Sequence, residues 1–409
     1  MGQINLINQS VFATLFTVLV SNTASAQTQT ATDLMNLAQG VLPVGITAGA
    51  EEMRITQEHV ISAIDGNPKR YVAMGKPAAA GQFVEFLYAL PAGTIFSAFS
   101  VPNVKETPSP SQTFFKLIEV LGSSQGPDGP FAVLARAEVA ASASKGEVTQ
   151  LQMAPDQAKV GWIKLRLADG VDVQRYQTFL EFSELSGHGV QDEPDLSTGF
   201  SGVWRGRGVK LELEQEGATV TGCYDGNAML SGTVHGNVLR ALGQNDAGIS
   251  SQFILVAAGD GSLRGLRSTN GAPFKPYNGD ASDATASCLE PEPPKLGCGS
   301  VLHGIQFDFD SDVIRPSSQV LLADLYNGLS DAGAASVQIV GHSSSEGADD
   351  YNRDLSERRA GSVVAALVAL GMDGSVMSAV GRGEDEPIAS NEDEAGRSLN
   401  RRVEVRCSS

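Results

Sequence analysis

Positive charge is scarce: the 409 residues hold 29 Lys and Arg against 47 Asp and Glu, a formal charge of −18 at neutral pH. Phosphate binding needs a basic face, so this balance argues against a nucleic-acid partner. Long apolar runs are equally scarce. Val11 to Val20 (VFATLFTVLV) stands out, and it is too short for a helix that crosses a bilayer, which needs about 20 residues. Metal-site spacing is missing as well: there is no Cys-x-x-Cys, and His59, His188, His235, His303 and His342 are scattered. His-Glu-x-x-His and Gly-x4-Gly-Lys do not occur. The chain is therefore read as non-catalytic, with no cofactor and no metal. The abundant Asp and Glu leave a carboxylate-pair hydrolase open, because such a site depends on separations that a sequence does not set.

What is present begins with an export pattern. Val11 to Val20 is followed by Ser21 to Ala26, in which Ala24-Ser25-Ala26 has the small-residue form of a cleavage site. A signal peptide over 1–26 is expected, with Gln27 as first mature residue, although the leading MGQINLINQS has no Lys or Arg. No Cys follows the apolar core, so lipidation is not expected. Export permits disulfides, and the four cysteines allow three pairings. Cys298 and Cys407 bracket the last block, and Cys223 and Cys288 lie within or beside the one before it. Bonds 223–288 and 298–407 are favoured on that ground.

Two breaks divide the remainder. Glu290 to Lys295 (EPEPPK) is proline-rich and expected to be extended, which sets a linker at 289–297. Ser186 to Gly199 is polar. The resulting blocks run over 27–190, 195–288 and 298–409. In the first, Phe115 to Val120, Phe131 to Arg136 and Trp162 to Leu167 are short β-rich runs between Gly and Pro clusters, and an all-β sandwich is expected. The rhythm of Thr113 to Gly189 resembles the later strands of galactose-binding, discoidin-like jelly rolls. That resemblance implies a jelly-roll-like scaffold with sugar-binding loop tips, weighed below a plain interaction or spacer role. In the second block Val209, Leu211 and Leu213 alternate with Lys210, Glu212 and Glu214, and turn signals recur at a ten-residue step near Glu216-Gly217, Asp225-Gly226 and His235-Gly236. A small antiparallel sheet or minibarrel follows, with Trp204 as a core or sheet-end plug.

The last block alternates strands and helices. Gly304 to Phe309 and Val337 to Val340 read as strands, as do Met377 to Val380 and Arg402 to Arg406. A helix opens at Arg315-Pro316 and carries Val320, Leu321, Leu325 and Leu329. A second spans Asp354 to Leu370, with Leu355, Val363, Val364, Leu367 and Val368 at helical spacing and Gly371 as its stop. The expected architecture is α/β, two helices on one sheet.

IQFDFDSDVIRP, VGHSSSEGADDYNRDLSERRAGSVVAAL and GRGEDEPIASNEDEAGRSLNRRVEV together resemble the OmpA-like peptidoglycan-binding domain of Gram-negative envelope proteins, over about Val301 to Val405. The resemblance implies non-covalent binding of the peptidoglycan stem peptide through the free end of diaminopimelate. That group carries an ammonium and a carboxylate on one carbon, which calls for an acceptor beside a rigidly held guanidinium. By the same resemblance, Arg359 in LSERRA takes the carboxylate, while its neighbour Arg358 reads as a solvated helix residue. Ser344, in Gly341-His342-Ser343-Ser344, stands where the family has the Asp that takes the ammonium. A hydroxyl accepts a hydrogen bond without bringing charge, so Glu346, Asp349 and Asp350 are candidates to compensate, weighed equally against a merely solvating acidic loop. Asp310, Asn352, Leu355 and Arg401 match positions that line the pocket; Asn352 has a helix cap as its plain alternative, and Asp308 and Arg402 read as structural. The expectation is a periplasmic, peptidoglycan-associated and outer-membrane-associated anchor displaying two β-domains, whose further partners are envelope proteins or glycans. The alternative is an adhesin whose selectivity sits in the N-terminal sandwich.

Overall fold

Period-two alternation builds the first body. In the strand Val160–Gly170, Ile163, Leu165 and Leu167 are buried, while Lys164 and Arg166 face away from the core and hold Glu85 at 2.8 Å each. The computed structural model describes residues 32–51, 53–75, 82–103, 112–139, 146–170, 179–226, 228–284, 286, 288, 296–308 and 310–408. The expected leader, its cleavage site and Glu290 to Lys295 lie outside these residues.

The first body is centred on the 20-residue strand Phe83–Pro102. Its sheet runs in the order Leu42–Ala48, Phe83–Pro102, Val160–Gly170, Gln112–Ser123, Ala132–Glu138, Gln152–Met153. Ser186–Gln191 adds to the long central strand, and Phe179–Phe182 joins Gln112–Ser123 in parallel while pairing Val72–Gly75 on its other side. A short helix, Gln57–Ser62, and a 3-10 turn, Leu37–Gln39, cover one part of the core.

The second body is a closed barrel of eight antiparallel strands from Gly202–Gly206 to Lys275–Ala281, each paired with its successor and the last with the first. Positive φ at Arg207 and Gly208 (47° and 76°) makes the tight first hairpin. Val209, Leu211, Leu213, Phe253 and Tyr277 fill the interior together with Trp204, whose Nε1–H donates to Gly261 O at 2.8 Å. Strands of five to eight residues with apolar interiors and outward Lys210 and Glu214 invert the pattern of a membrane barrel, which is apolar outside and spans with about 9–11 residues per strand. Cys223 is bonded to Cys288, and Cys298 to Cys407.

The third body has a four-stranded sheet in the order Val301–Leu302, Val403–Ser408, Ser336–His342, Met377–Gly383, with the last pair parallel. Helices Gln319–Ala332 and Asp349–Leu370 pack on it through Leu321, Leu325 and Leu329, and through Ala360, Val363 and Leu367. Three expectations are corrected here. Of the expected strand Gly304 to Phe309, the described residues Gly304 to Asp308 form no strand: Gly304 sits at φ 138°, and they hold an isolated bridge, Phe307 to Ile314; Phe309 lies outside the described residues. The long helix starts at Asp349, five residues before the expected Asp354. A third helix, Glu394–Asn400, joins the two expected ones.

The three bodies share apolar contacts. Ala395 and Leu399 of the short helix, and Val238, Ile254, Val256 and Leu266 from the outer face of the barrel, belong to the same buried cluster as Met35, Leu37 and Ile61. Carboxylates collect at this junction. Glu184 is buried and accepts a hydrogen bond from Gly66 N–H; burial pushes its carboxyl well above the usual range, and Asp33, Asp65 and Glu394 push the same way. Burial raises Asp33 to about 6 against the bonds it accepts from Gly187 and Met35. A carboxyl raised in the folded state contributes stability that is full below its unfolded pKa, about 4, and is lost as pH rises through the folded value. The melting temperature is therefore expected to fall between pH 5 and pH 8, and to fall less in Glu184→Gln; an equal fall by calorimetry contradicts this.

Candidate ligand-binding site

Two glycines bring the long helix against the sheet. A Cβ on Gly341 would lie 2.2 Å from Ser356 O, and one on Gly381 would lie 2.4 Å from Arg353 O. This close approach sets the helix face that carries Asn352, Leu355 and Arg359. Asp349 and Asp350 occupy the first turn, where negative charge suits the helix dipole. Both are exposed, and neither has an ion-pair or hydrogen-bond partner among the described residues. The N-cap position is Ala348, so Asn352 does not cap the helix. It is buried instead, and its Nδ2 donates to Ser344 O at 3.3 Å and to Glu384 Oε2 at 2.6 Å, which ties the loop after His342 to the helix. Leu355, one turn on, is also buried.

Arg359 is held along one edge. Its Nε–H donates to Ser311 O at 3.0 Å, and the guanidinium lies 4.9 Å from the centre of the Phe307 ring. Among the described residues, no partner meets its two terminal nitrogens. Burial pushes this arginine down to about 10; the positive charges of Arg401 and Arg358 add to that, and Asp310 and Asp312 oppose it. A bound anion would relieve the same imbalance. Asp310, in the left-handed region at φ 52°, accepts a hydrogen bond from the Tyr351 hydroxyl.

Arg401 follows the short helix and is divided between two sets of partners. One terminal nitrogen grips Glu394. The other stands 3.5 Å from both Ser344 Oγ and Glu346 Oε2. Ser344 is buried, and its hydroxyl donates to Glu346 Oε2 at 3.2 Å. The structure thus gathers Ser344, Glu346 and Arg401 directly, and charge links Arg359 to Arg401 and to Asp310; Asp349 and Asp350 stay at the rim. The charge of Glu346 is already opposed by Arg397 at 3.6 Å and by Arg401. Ser344→Asp should therefore tighten binding of an ammonium-bearing ligand by about 1 kcal/mol, near fivefold, through a charge-assisted bond. Unchanged affinity in calorimetry would mean that Glu346 already supplies that charge.

The neighbouring charges have other tasks. Arg402 is buried; its guanidinium holds Glu404 at 2.6 Å and donates to Glu386 O at 2.9 Å. Arg358 pairs with Asp354 at 2.9 Å and Asp312 at 3.4 Å, and Asp308 with Arg315 at 3.2 Å. Ligand atoms of His342, Glu386 and Glu404 lie within 4.8 Å of one another. Arg402 and Arg406 already neutralise both carboxylates, so this group does not fit a cation site. In the corresponding group of Glu212, Cys223 and Cys288 both sulfurs are in a disulfide.

Sequence reasoning passed over Phe307, the Ser311 carbonyl, Glu384 and Glu394. It also passed over Gly122-Ser123-Ser124-Gln125-Gly126, which has the Gly-x-Ser-x-Gly spacing. There the strand Gln112–Ser123 runs into a turn and then the strand Ala132–Glu138, not into the helix that a nucleophile elbow requires.

The model of the OmpA family matches residues 306–401. Outer membrane porin F of Pseudomonas fluorescens is 44% identical over 101 residues, 25% of this chain and 31% of that protein. Outer membrane protein A of Bordetella avium is 40% identical over 99 residues, 24% of this chain and 51% of that protein. The chain thus spans between about a third and a half of the length of these curated relatives. Among solved structures, the peptidoglycan-associated lipoprotein from Burkholderia pseudomallei is 33% identical over 25% of this chain and 88% of its own, with a TM-score of 0.24. The match covers the Phe307 to Arg401 residues that form the crevice: the third body of this chain is an OmpA-like domain.

Proposed function

We propose that this chain is a cell-envelope protein that anchors non-covalently to peptidoglycan, its OmpA-like domain gripping the diaminopimelate of the stem peptide. The observation that carries this reading is the Arg359 guanidinium, fixed by Ser311 O and Phe307 along one edge with its terminal fork left to a ligand. A carboxylate meets that fork in a bidentate pair, and the adjoining ammonium falls to the Ser344, Glu346 and Asp310 side. The residues that bind the ligand are Asp310, Ser344, Asn352, Leu355, Arg359 and Arg401, with Glu346, Asp349 and Asp350 setting the acidic rim. The match to the OmpA family over residues 306–401 supports the same reading. In this reading the protein works in the periplasm beside the outer membrane, and the first body, as a jelly-roll-like β-sandwich, and the barrel are what the anchor holds at the wall. The chemistry is binding without bond cleavage. Co-sedimentation with purified sacculi tests it: retention that free diaminopimelate competes away, without soluble fragments, is expected. Soluble muropeptides would mark a hydrolase, and no retention would refute the anchor.

A further inference from the structure

The short helix Glu394–Asn400 stands between the candidate site and the first body. Ala395 and Leu399 are fully buried in the apolar cluster of the first body, beside residues such as Met35 and Leu37. On the barrel side, Arg240 approaches Ser398 Oγ at 3.5 Å and donates to Ala38 O at 2.5 Å. Glu394 opens this helix. Its N–H lies 3.4 Å from Gly66 O, and a Cβ on Gly66 would fall 2.6 Å from the Cβ of Glu394. Gly66 belongs to a turn of the first body and sits at φ 79°. The carboxylate of Glu394 reaches the other way: Oε1 grips one terminal nitrogen of Arg401, and Oε2 accepts from Arg397 Nε at 3.1 Å. Burial raises this carboxyl, and Arg401 and Arg397 more than reverse the effect, so the pairing holds the charged form.

We infer that Glu394 is a positioning residue that fixes Arg401 against the first body, so that packing of the first body and occupancy of the wall-binding crevice are thermodynamically linked. Arg401 carries one nitrogen on Glu394 and presents the other, 3.5 Å from Ser344 and Glu346, to the crevice. Arg401 and Arg359 repel each other. Without the Glu394 clamp, Arg401 would have to be ordered against that repulsion when the ligand binds, and affinity falls when a bound geometry is not preorganised. Linkage makes the effect reciprocal: a ligand in the crevice strengthens the seating of the first body.

This inference rests on the anchoring reading, and a double-mutant cycle separates the two. Titration calorimetry of the full chain uses a soluble diaminopimelate-containing muropeptide against wild type, Glu394→Gln, Arg401→Ala and the double variant. Glu394→Gln is expected to weaken binding about fivefold in wild type, the lower end of typical coupling, and to have no further effect once Arg401 is Ala. Gly66→Ala, which touches no crevice residue, is expected to behave in the same way; should it unfold, the Glu394 cycle decides alone. Equal losses in both backgrounds overturn the inference and leave the anchor standing. A wild type that fails to bind the muropeptide refutes the anchor and the inference together.

Discussion

Arg359→Ala is expected to weaken binding of a diaminopimelate-containing muropeptide by at least about 2 kcal/mol, roughly thirtyfold, the lower range for truncating one partner of a hydrogen-bonded charge pair. The effect should fall on binding alone. The side chain gives the fold one hydrogen bond, to Ser311 O, and one ring contact, to Phe307, and among the described residues no carboxylate is paired with it that its loss would strand. Arg359→Lys should recover only part of the affinity, because an ammonium keeps the charge but not the planar fork that meets a carboxylate with two parallel bonds. Calorimetry on variants with native circular dichroism checks both. Unchanged affinity in folded Arg359→Ala would place the pocket elsewhere.

The second large effect concerns stability. Cys298 and Cys407 are bonded across a sequence separation of 109 residues, and the link encloses the whole OmpA-like domain. Loop-closure entropy for about 100 residues corresponds to about 4.7 kcal/mol, and loss of native disulfides generally costs about 2–5 kcal/mol. Cys298→Ser with Cys407→Ser should therefore lower the unfolding free energy of this domain by about 2–5 kcal/mol in urea titrations followed by circular dichroism. A midpoint equal to that of the oxidised wild type would contradict the expected constraint. Cys407 sits on the strand Val403–Ser408, paired with Val337 in the neighbouring strand, so the bond secures the start of the domain to an interior strand of its sheet.

Local pattern made some of this fold legible and could not reach the rest. The alternation Val209, Leu211, Leu213 marks a strand with one wet face, and the structure buries those three inside the barrel. Closure of the barrel is invisible to such patterns, because it depends on Trp204 facing Ala281 and Arg205 facing Asp280 across the length of the body. The helix carrying Leu321, Leu325 and Leu329 shows its period in sequence. Asp349 to Arg353 do not read as helix, since they are polar and no side chain caps them. EAGRSLN, the helix at 394–400, spans barely two turns and contains Gly396, too short for its period to register. At the crevice, the register of LSERRA points to Arg359, but its stacking on Phe307 and the grip of Glu394 on Arg401 are tertiary facts. Glu394 in particular owes its place to Gly66, which lies in another body of the molecule.

The most direct measurement is a crystal of the full chain soaked with meso-diaminopimelate. The account predicts density for the amino acid in the crevice, its carboxylate on the terminal nitrogens of Arg359 and its ammonium toward Ser344 and Glu346. An empty crevice at saturating ligand, or the ligand seated away from Arg359, would contradict it.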